Sequence, residues 1–205
     1  MKKIICILMC FVTSAMMFTG CDDNNNNSVP EKIEMEDLPY GYTLRNLNDA
    51  KIKICFDGRY FSDEAMTVLA DYYYALQTQD LELFKKTQNA DYIKYLEKNS
   101  GSTLKEYLSS IYNDDVQSIG EGLKYTYIEV TDAGDSKADT EINEISDLMD
   151  NIYTENGKTE KFSDTVKDAK YAALTVTAEL DGKSYTNTES TVYVFECKEG
   201  TYIFN

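Results

Sequence analysis

Apolar side chains recur every three to four positions after residue 62, which is the pattern of a helix with one buried face. Ser62 is a favourable N-cap for that helix, and Asp63 and Glu64 place negative charge in its first turn, where the helix dipole favours it. The spacing therefore predicts a helix that begins at Asp63 and packs against a core. Its apolar face consists of Ala65, Val68, Leu69, Tyr72, Tyr73 and Leu76.

Further helical patterns follow along the chain. Asp80 is placed to cap a second helix that contains Leu81 and Phe84, and Thr103 with Glu106 has the spacing of a capping box. The remaining apolar positions predict a third helix with Tyr92, Ile93 and Leu96, a fourth with Leu104, Tyr107, Leu108, Ile111 and Tyr112, and a fifth over residues 140–153 with Ile142, Ile145, Leu148, Met149 and Ile152.

The period changes to two in the last third of the chain, which predicts strands. Residues 171–180 alternate, and Asp181-Gly182 is a two-residue hairpin signal that turns the chain into a second strand, residues 185–197. A third strand, residues 201–204, follows. In the first of these strands, one face consists of Ala172, Leu174, Val176, Ala178 and Leu180.

Two more strand patterns precede this sheet. Residues 123–131 alternate and predict a strand that leads into a polar loop. Residues 51–56 and 59–61 flank Asp57-Gly58, which supplies the positive φ angles of a tight turn and so predicts a short hairpin.

Helices first and a long-stranded meander afterwards predict an α+β fold, with N-terminal helices packed against a curved antiparallel sheet. The opening helix with residues 72–75, the Gln79-Asp80 break before residues 81–84, and the terminal strands 171–204 resemble the NTF2-like, or cystatin-like, cone. That resemblance implies a sheet that wraps around the helices. The hairpin at residues 51–61 and the helix at residues 140–153 are additions to the basic pattern.

The first 21 residues have the order of an export signal. Lys2 and Lys3 give a positive start, residues 4–18 are uncharged and mostly apolar, and Gly20 precedes Cys21. Residues 18–21 resemble the lipobox of bacterial lipoproteins, with phenylalanine where leucine is usual. The resemblance implies cleavage between Gly20 and Cys21 and a diacylglycerol anchor on Cys21. The alternative is an ordinary signal peptide cut near Gly20, with Cys21 as a plain thiol.

Three regions follow from this interpretation. Residues 1–20 are predicted to be a lipoprotein signal peptide, and residues 21–39, which are acidic and rich in asparagine, a disordered tether behind the lipidated cysteine. Residues 40–205 are long enough for a single α+β domain with its own core. The predicted location is the extracytoplasmic face of the cell membrane, and the sequence leaves the leaflet open.

The charge of the chain excludes one class of partner. The net charge is −16, and Lys2 and Lys3 lie in the predicted signal, so the remainder is more acidic still. Nucleic-acid binding needs a cationic surface that releases counterions from phosphate, and this chain does not offer one.

Histidine is absent from the sequence, which removes the usual neutral-pH base and the commonest transition-metal ligand.

Cysteine usage leaves two alternatives inside the predicted domain. Cys55 and Cys197 could form one disulfide, which an exported location permits, or they could be two buried thiols that pack as small hydrophobes. The acidic run over residues 132–141 lacks the spacing of a calcium-binding EF-hand loop. Neither a metal site nor a cofactor is predicted.

Two function hypotheses remain. The first is a non-catalytic, lipid-anchored module that binds a protein, a peptide or a small solute outside the membrane. The second follows from the NTF2-like resemblance, which implies an acid or base in a cone pocket, and a tyrosine with a carboxylate could supply that chemistry. Its candidates are Asp71 and Tyr74 on the first helix and Tyr125 and Tyr127 on a strand. The alternative is that Asp71 is a solvated helix carboxylate and that the strand tyrosines are ordinary packing residues.

Overall fold

In the computed structural model, the first four helices each begin at a residue whose side chain caps them. The structure describes residues 19–20, 38–46, 52–135 and 140–205. Its helices are α1 (Asp63–Thr78), α2 (Leu81–Thr87), α3 (Ala90–Ser100), α4 (Leu104–Ile119) and α5 (Thr140–Glu155). Its strands are β1 (Thr19–Gly20), β2 (Tyr42–Asn46), β3 (Lys53–Asp57), β4 (Lys124–Asp135), β5 (Val166–Leu180), β6 (Lys183–Cys197) and β7 (Thr201–Phe204).

The predicted helix caps are confirmed. The Ser62 hydroxyl accepts the backbone N–H of Ala65 at 3.1 Å and begins α1, and the Asp80 carboxylate accepts the N–H of Leu83 at 3.0 Å and begins α2. Thr103 and Glu106 form the reciprocal capping box at the start of α4. Each cap satisfies N–H groups that have no partner inside their own helix, which fixes where the helix begins.

The seven strands form one open sheet in the order β2, β3, β4, β5, β6, with β1 and β7 both paired to β6. All pairs are antiparallel except β3 with β4, which is parallel. The predicted hairpin at Asp181-Gly182 joins β5 to β6 as expected. The α+β class is therefore confirmed, with a sheet that is mostly antiparallel and does not close.

Apolar side chains cover both faces of this sheet. On one face, Ala172, Leu174 and Val176 of β5 pack into a core with α1, α2 and α4. On the other face, Ala169 and Phe195 pack into a second core with α3 and α5. The alternation of the strands divides these residues, since neighbours along a strand point to opposite faces. The sheet therefore lies between two groups of helices.

The predicted hairpin at residues 51–61 is wrong. β3 pairs with β2 and β4, and residues 59–61 do not form a strand. The carbonyl of Asp57 accepts the N–H groups of Tyr60 and Phe61, at 3.0 and 3.2 Å, and its carboxylate accepts the N–H of Arg59. These bonds turn the chain from β3 into α1. The predicted strand at residues 123–131 exists as β4 but continues to Asp135.

Most of the predicted signal and tether lies outside the described residues. Cys21, the predicted lipidation site, belongs to that part of the chain. Thr19 and Gly20 are described as β1, opposite Thr186 and Tyr185 of β6. Within the described ranges, no helix has the length and apolar character needed to cross a bilayer.

Candidate ligand-binding cavity

The structure separates the four predicted catalytic candidates. Asp71 and Tyr74 are half-buried on α1, where Tyr74 packs against the first core. A bulge in β4 between Tyr125 and Tyr127 shifts the register by one residue. Tyr125 therefore enters the core beside the helices, whereas Tyr127 lies by Cys55, the side chain of which is on the other face. The four side chains do not form one site.

Tyr125 does meet a carboxylate, which sequence reasoning missed. Its hydroxyl donates a short hydrogen bond to Oδ2 of Asp115 on α4, and both residues are only 2% exposed. Burial raises the pKa of Asp115 to about 6, and the hydrogen bond from Tyr125 opposes that rise. Asp115 lies in a polar stretch of α4, so the sequence alone predicts that its side chain is exposed to solvent.

Aromatic rings enclose this pair. The ring of Tyr73 lies 5.2 Å from that of Tyr125, and the ring of Tyr112 lies 6.4 Å from it, both edge to face. Tyr73 is itself 1% exposed, with its hydroxyl 3.4 Å from Oγ of Ser190. The pair is therefore buried beside tyrosine rings, and its hydrogen bond joins α4 to β4.

Cys55 and Cys197 are free and buried, so the disulfide alternative is not what the structure contains. Cys55 lies opposite Glu129, which lies opposite Thr175 of β5, whereas Cys197 lies opposite Val166 at the other end of that strand. Nine residues of strand separate those positions, roughly 25–30 Å. A disulfide needs Cα atoms within about 7 Å.

A cavity opens at the end of the parallel pair β3–β4. The last paired residues of the two strands are Cys55 and Glu129. Beyond them, β3 turns away at Asp57 while β4 continues along β5, and a second bulge in β4 follows Val130. The wedge between the two strands holds a cavity of about 100 Å³, which we call the wedge cavity. It is lined by Tyr42, Asp57, Tyr60, Phe61, Val130, Thr131, Asp132 and Ala133.

Asp57 is fixed on one side of the wedge cavity. Its carboxylate accepts hydrogen bonds from the backbone N–H and the Nε of Arg59, both at 2.9 Å, and the Arg59 guanidinium also contacts its second oxygen. This pairing holds the pKa of Asp57 below its usual value. Gly41 makes room for the guanidinium, because a Cβ there would lie 2.5 Å from Nε of Arg59.

Asp132 is fixed on the other side. It accepts the N–H of Ala133 at 2.9 Å and the hydroxyl of Tyr171 at 3.0 Å. Tyr171 is the cross-strand partner of Gly134, and a Cβ on Gly134 would lie 2.2 Å from its ring. Glycine at this position therefore lets the Tyr171 ring fold across β4 and reach Asp132.

Two tyrosines carry aromatic surface into solvent beside the wedge cavity. Tyr60, in its lining, is 49% exposed, and Tyr40 is 88% exposed with its ring centre 5.3 Å from Cζ of Arg59. These are the exposed large apolar residues of the described chain. Rigid rings beside oriented carboxylates can take up a small group by stacking and by hydrogen bonding.

Sequence reasoning did not single out this site. The sequence predicts a hairpin turn at Asp57 and a polar loop at Asp132, and it predicts no strand at Tyr42, which belongs to β2. The signal available in the sequence was the local density of tyrosine and aspartate over residues 40–60. Only the parallel pairing of β3 with β4 brings that segment to residues 130–133.

The described residues contain no group of three cysteine, aspartate or glutamate side chains arranged to hold a metal ion. The wedge cavity itself offers carboxylate oxygens, tyrosine hydroxyls and aromatic faces. Comparison with protein families, with curated proteins and with solved structures finds no match for this chain.

Proposed function

We propose that this protein is a lipid-anchored extracytoplasmic lipoprotein that binds a small solute, or one side chain of a peptide or protein, without catalysing its conversion. The observation that carries the proposal is the wedge cavity, in which Asp57 and Asp132 are oriented beside the exposed ring of Tyr60. Binding sites combine apolar walls with a few placed polar groups in this way. The acidic charge argues against nucleic acid as the partner.

The contrast with the interior supports binding over catalysis. An acid–base enzyme that uses tyrosine and a carboxylate needs both groups at a space that admits substrate. The pair with those properties, Asp115 and Tyr125, is enclosed by Tyr73 and Tyr112. In the lining of the wedge cavity, Tyr60, Thr131 and Asp132 are instead exposed to solvent.

The support for the anchor is the order of residues at the N-terminus. A basic start, an apolar stretch and a small residue before Cys21 form the pattern that a lipoprotein signal requires. A diacylglycerol anchor carries two acyl chains, and two chains hold a protein on a bilayer far more firmly than one chain does. The acidic tether, residues 22–39, would then separate the domain from the headgroups.

We also propose that the fold is a variant of the NTF2-like cone. The succession of α1 and α2 and the long antiparallel strands β4, β5 and β6 support it. The parallel β3 and the helix α5 on the second face are departures. An experimental structure in which β4–β6 do not curve around α1 would contradict this assignment.

Labelling with radioactive palmitate in a bacterial host tests the anchor. Wild-type chain should be processed and labelled, and the Cys21→Ala variant should remain an unlabelled precursor. Cys10→Ala is the matched control, because Cys10 lies in the predicted signal and should leave labelling unchanged. Continued labelling of the Cys21→Ala variant would contradict the proposal.

Ligand-observed NMR with a library of sugars, amino acids and amines tests the binding. Compounds that bind the full-length chain should lose binding in the Tyr60→Ala variant. Tyr185→Ala is the control, since Tyr185 lies on β6, near the edge of the sheet opposite β2. Hits that survive Tyr60→Ala, or a library without hits, would contradict a solute site at the wedge cavity.

A further inference from the structure

The wedge cavity is small enough to restrict the group that it can enclose. Its volume is about 100 Å³. An apolar cavity of roughly 150 Å³ holds one benzene molecule, so this one fits a compact, roughly spherical group of few atoms. A sugar ring or an amino acid would place one substituent inside and leave the remainder over the exposed tyrosines.

The walls are suited to positive charge. Tyr42, Tyr60 and Phe61 supply three aromatic rings, and ring faces attract cations. Two lining residues, Asp57 and Asp132, are acids, and none is a lysine or arginine. Aromatic rings with nearby carboxylates are the surroundings in which proteins hold quaternary ammonium groups.

Among the described residues, Asp57 is paired with a cation and Asp132 is not. Arg59 forms an ion pair with Asp57 and places its guanidinium outside the cavity, toward Tyr40. Asp132 accepts hydrogen bonds from neutral donors, the Tyr171 hydroxyl and the Ala133 N–H. The cavity therefore keeps net negative charge in its lining.

The hydroxyl of Tyr42 reports the same field. Burial raises its pKa, and the negative charges of Asp57, Glu129 and Asp132 raise it further. Asp57 and Asp132, which line the cavity, would interact favourably with a cation in it. The net charge of −16 on the chain also attracts cations from a distance.

We propose that the wedge cavity binds the cationic head of an alkylammonium compound, with a trimethylammonium group as the best fit. This inference rests on the proposed function, because it names the chemical class of ligand for the same cavity. Asp132 supplies the charge, the rings of Tyr42, Tyr60 and Phe61 supply the cation–π contacts, and Asp57 with Arg59 holds one wall in place.

Choline and 3,3-dimethyl-1-butanol are the probes that decide it. The two molecules have nearly the same shape, and only choline is charged. NMR titration of the full-length chain, at ionic strength matched with sodium chloride, should show choline binding at least ~10-fold tighter than the neutral analogue. Cellobiose is included as a neutral sugar.

Two variants separate local charge from the overall acidity. Asp132→Asn should weaken choline binding ~5- to 10-fold and leave 3,3-dimethyl-1-butanol unaffected, because only the cation interacts with the carboxylate. Asp181→Asn removes the same charge from the exposed β5–β6 turn and should change neither. If both variants weaken choline binding equally, choline responds to the overall acidic charge of the protein and not to Asp132, which would overturn the inference.

The remaining outcomes are distinct. If choline and its neutral analogue bind equally, or if cellobiose alone binds, the cavity is a binding site and the cation assignment is wrong. If none of the three binds and the library described above also yields no hits, the proposed function at this cavity fails together with the inference.

Discussion

Asp115 with Tyr125 and Asp132 with Tyr171 are the same chemical pair, a carboxylate that accepts a hydrogen bond from a tyrosine hydroxyl, in two different surroundings. The first pair lies in the core between α4 and β4, with 2% of each residue exposed. The second lies at the surface, across the end of β4 and β5, with a bond of 3.0 Å. The first pair therefore affects the stability of the fold, whereas the second can affect ligand binding.

The surroundings decide what each pair can do. In the core, removal from water raises the pKa of Asp115 to about 6, and 2% of each residue of the pair is exposed to solvent. At the surface, Asp132 is exposed to solvent and lines the wedge cavity. A tyrosine–carboxylate pair is thus evidence for a site only when space for a ligand adjoins it.

Removing one hydroxyl from each pair gives the largest expected contrast. Tyr125→Phe should lower the free energy of unfolding by about 3 kcal/mol at pH 7, because Asp115 stays buried without its donor. Tyr171→Phe should change it by less than about 0.5 kcal/mol, since water replaces the lost bond. Urea unfolding followed by circular dichroism measures both. Similar losses in the two variants would mean that the comparison is wrong.

The pH dependence of stability separates the two carboxylates next. The folded pKa of Asp115 lies above its unfolded value, so the folded state binds the proton more tightly and this residue favours folding at low pH. From pH 7 to 3.5, the stability of the wild type should rise relative to Asp115→Asn by about 2–3 kcal/mol. The gain is complete below the unfolded pKa and is lost as pH rises through about 6.

Asp114→Asn is the matched control for that experiment. Asp114 adjoins Asp115 on α4 and is exposed; its charge is the smallest cause of the raised pKa of Asp115, so its replacement should change the pH profile far less than Asp115→Asn does. A profile for Asp115→Asn that runs parallel to the wild type between pH 3.5 and 7 would contradict burial of the Asp115 carboxyl group in an apolar setting.

Gly134→Ala tests how the surface pair is held. A methyl group at this position meets the Tyr171 ring, so the ring must move away from Asp132. We expect a loss of about 1 kcal/mol in stability, together with weaker binding at the wedge cavity. The loss should shrink in a Tyr171→Ala background, where the obstacle is gone. Additive losses in the double variant would contradict the contact.

Removal of residues 1–20 should have the smallest effect. β1 contributes two residues, which pair with Thr186 and Tyr185 near the start of β6. We expect the free energy of unfolding to change by less than about 0.5 kcal/mol, measured by urea unfolding of the chain with and without the segment. A loss of more than about 2 kcal/mol would make these residues part of the fold and would argue against their cleavage as a signal.

The elements that were predicted correctly depend on neighbours in sequence. Ser62, Asp80 and Thr103 cap helices because their side chains bond N–H groups three residues ahead, and Asp181-Gly182 makes a turn within its own four residues. The alternation in residues 171–180 predicted the buried face of β5 correctly from Ala172 to Ala178. Such interactions can be read without knowing the tertiary structure.

The failures depend on contacts between distant residues. Asp57-Gly58 has the composition of a hairpin turn, yet β3 pairs in parallel with β4, about 70 residues later in the chain. The bulge after Tyr125 sends Tyr127 to the opposite face, and a helix polar position, Asp115, is covered by rings from β4 and α1. Register, bulges and burial of this kind have no local signature.

The sequence alone determined where α1, α2 and α4 begin, the β5–β6 hairpin, the α+β class and the acidic charge, since each follows from side chains within one or two turns of each other or from composition. The tertiary structure alone decided the parallel pairing of β3 with β4, and with it the wedge cavity between Asp57 and Asp132. The physical reason is that a cavity is the space left where two strands diverge, and that space depends on segments far apart in the chain.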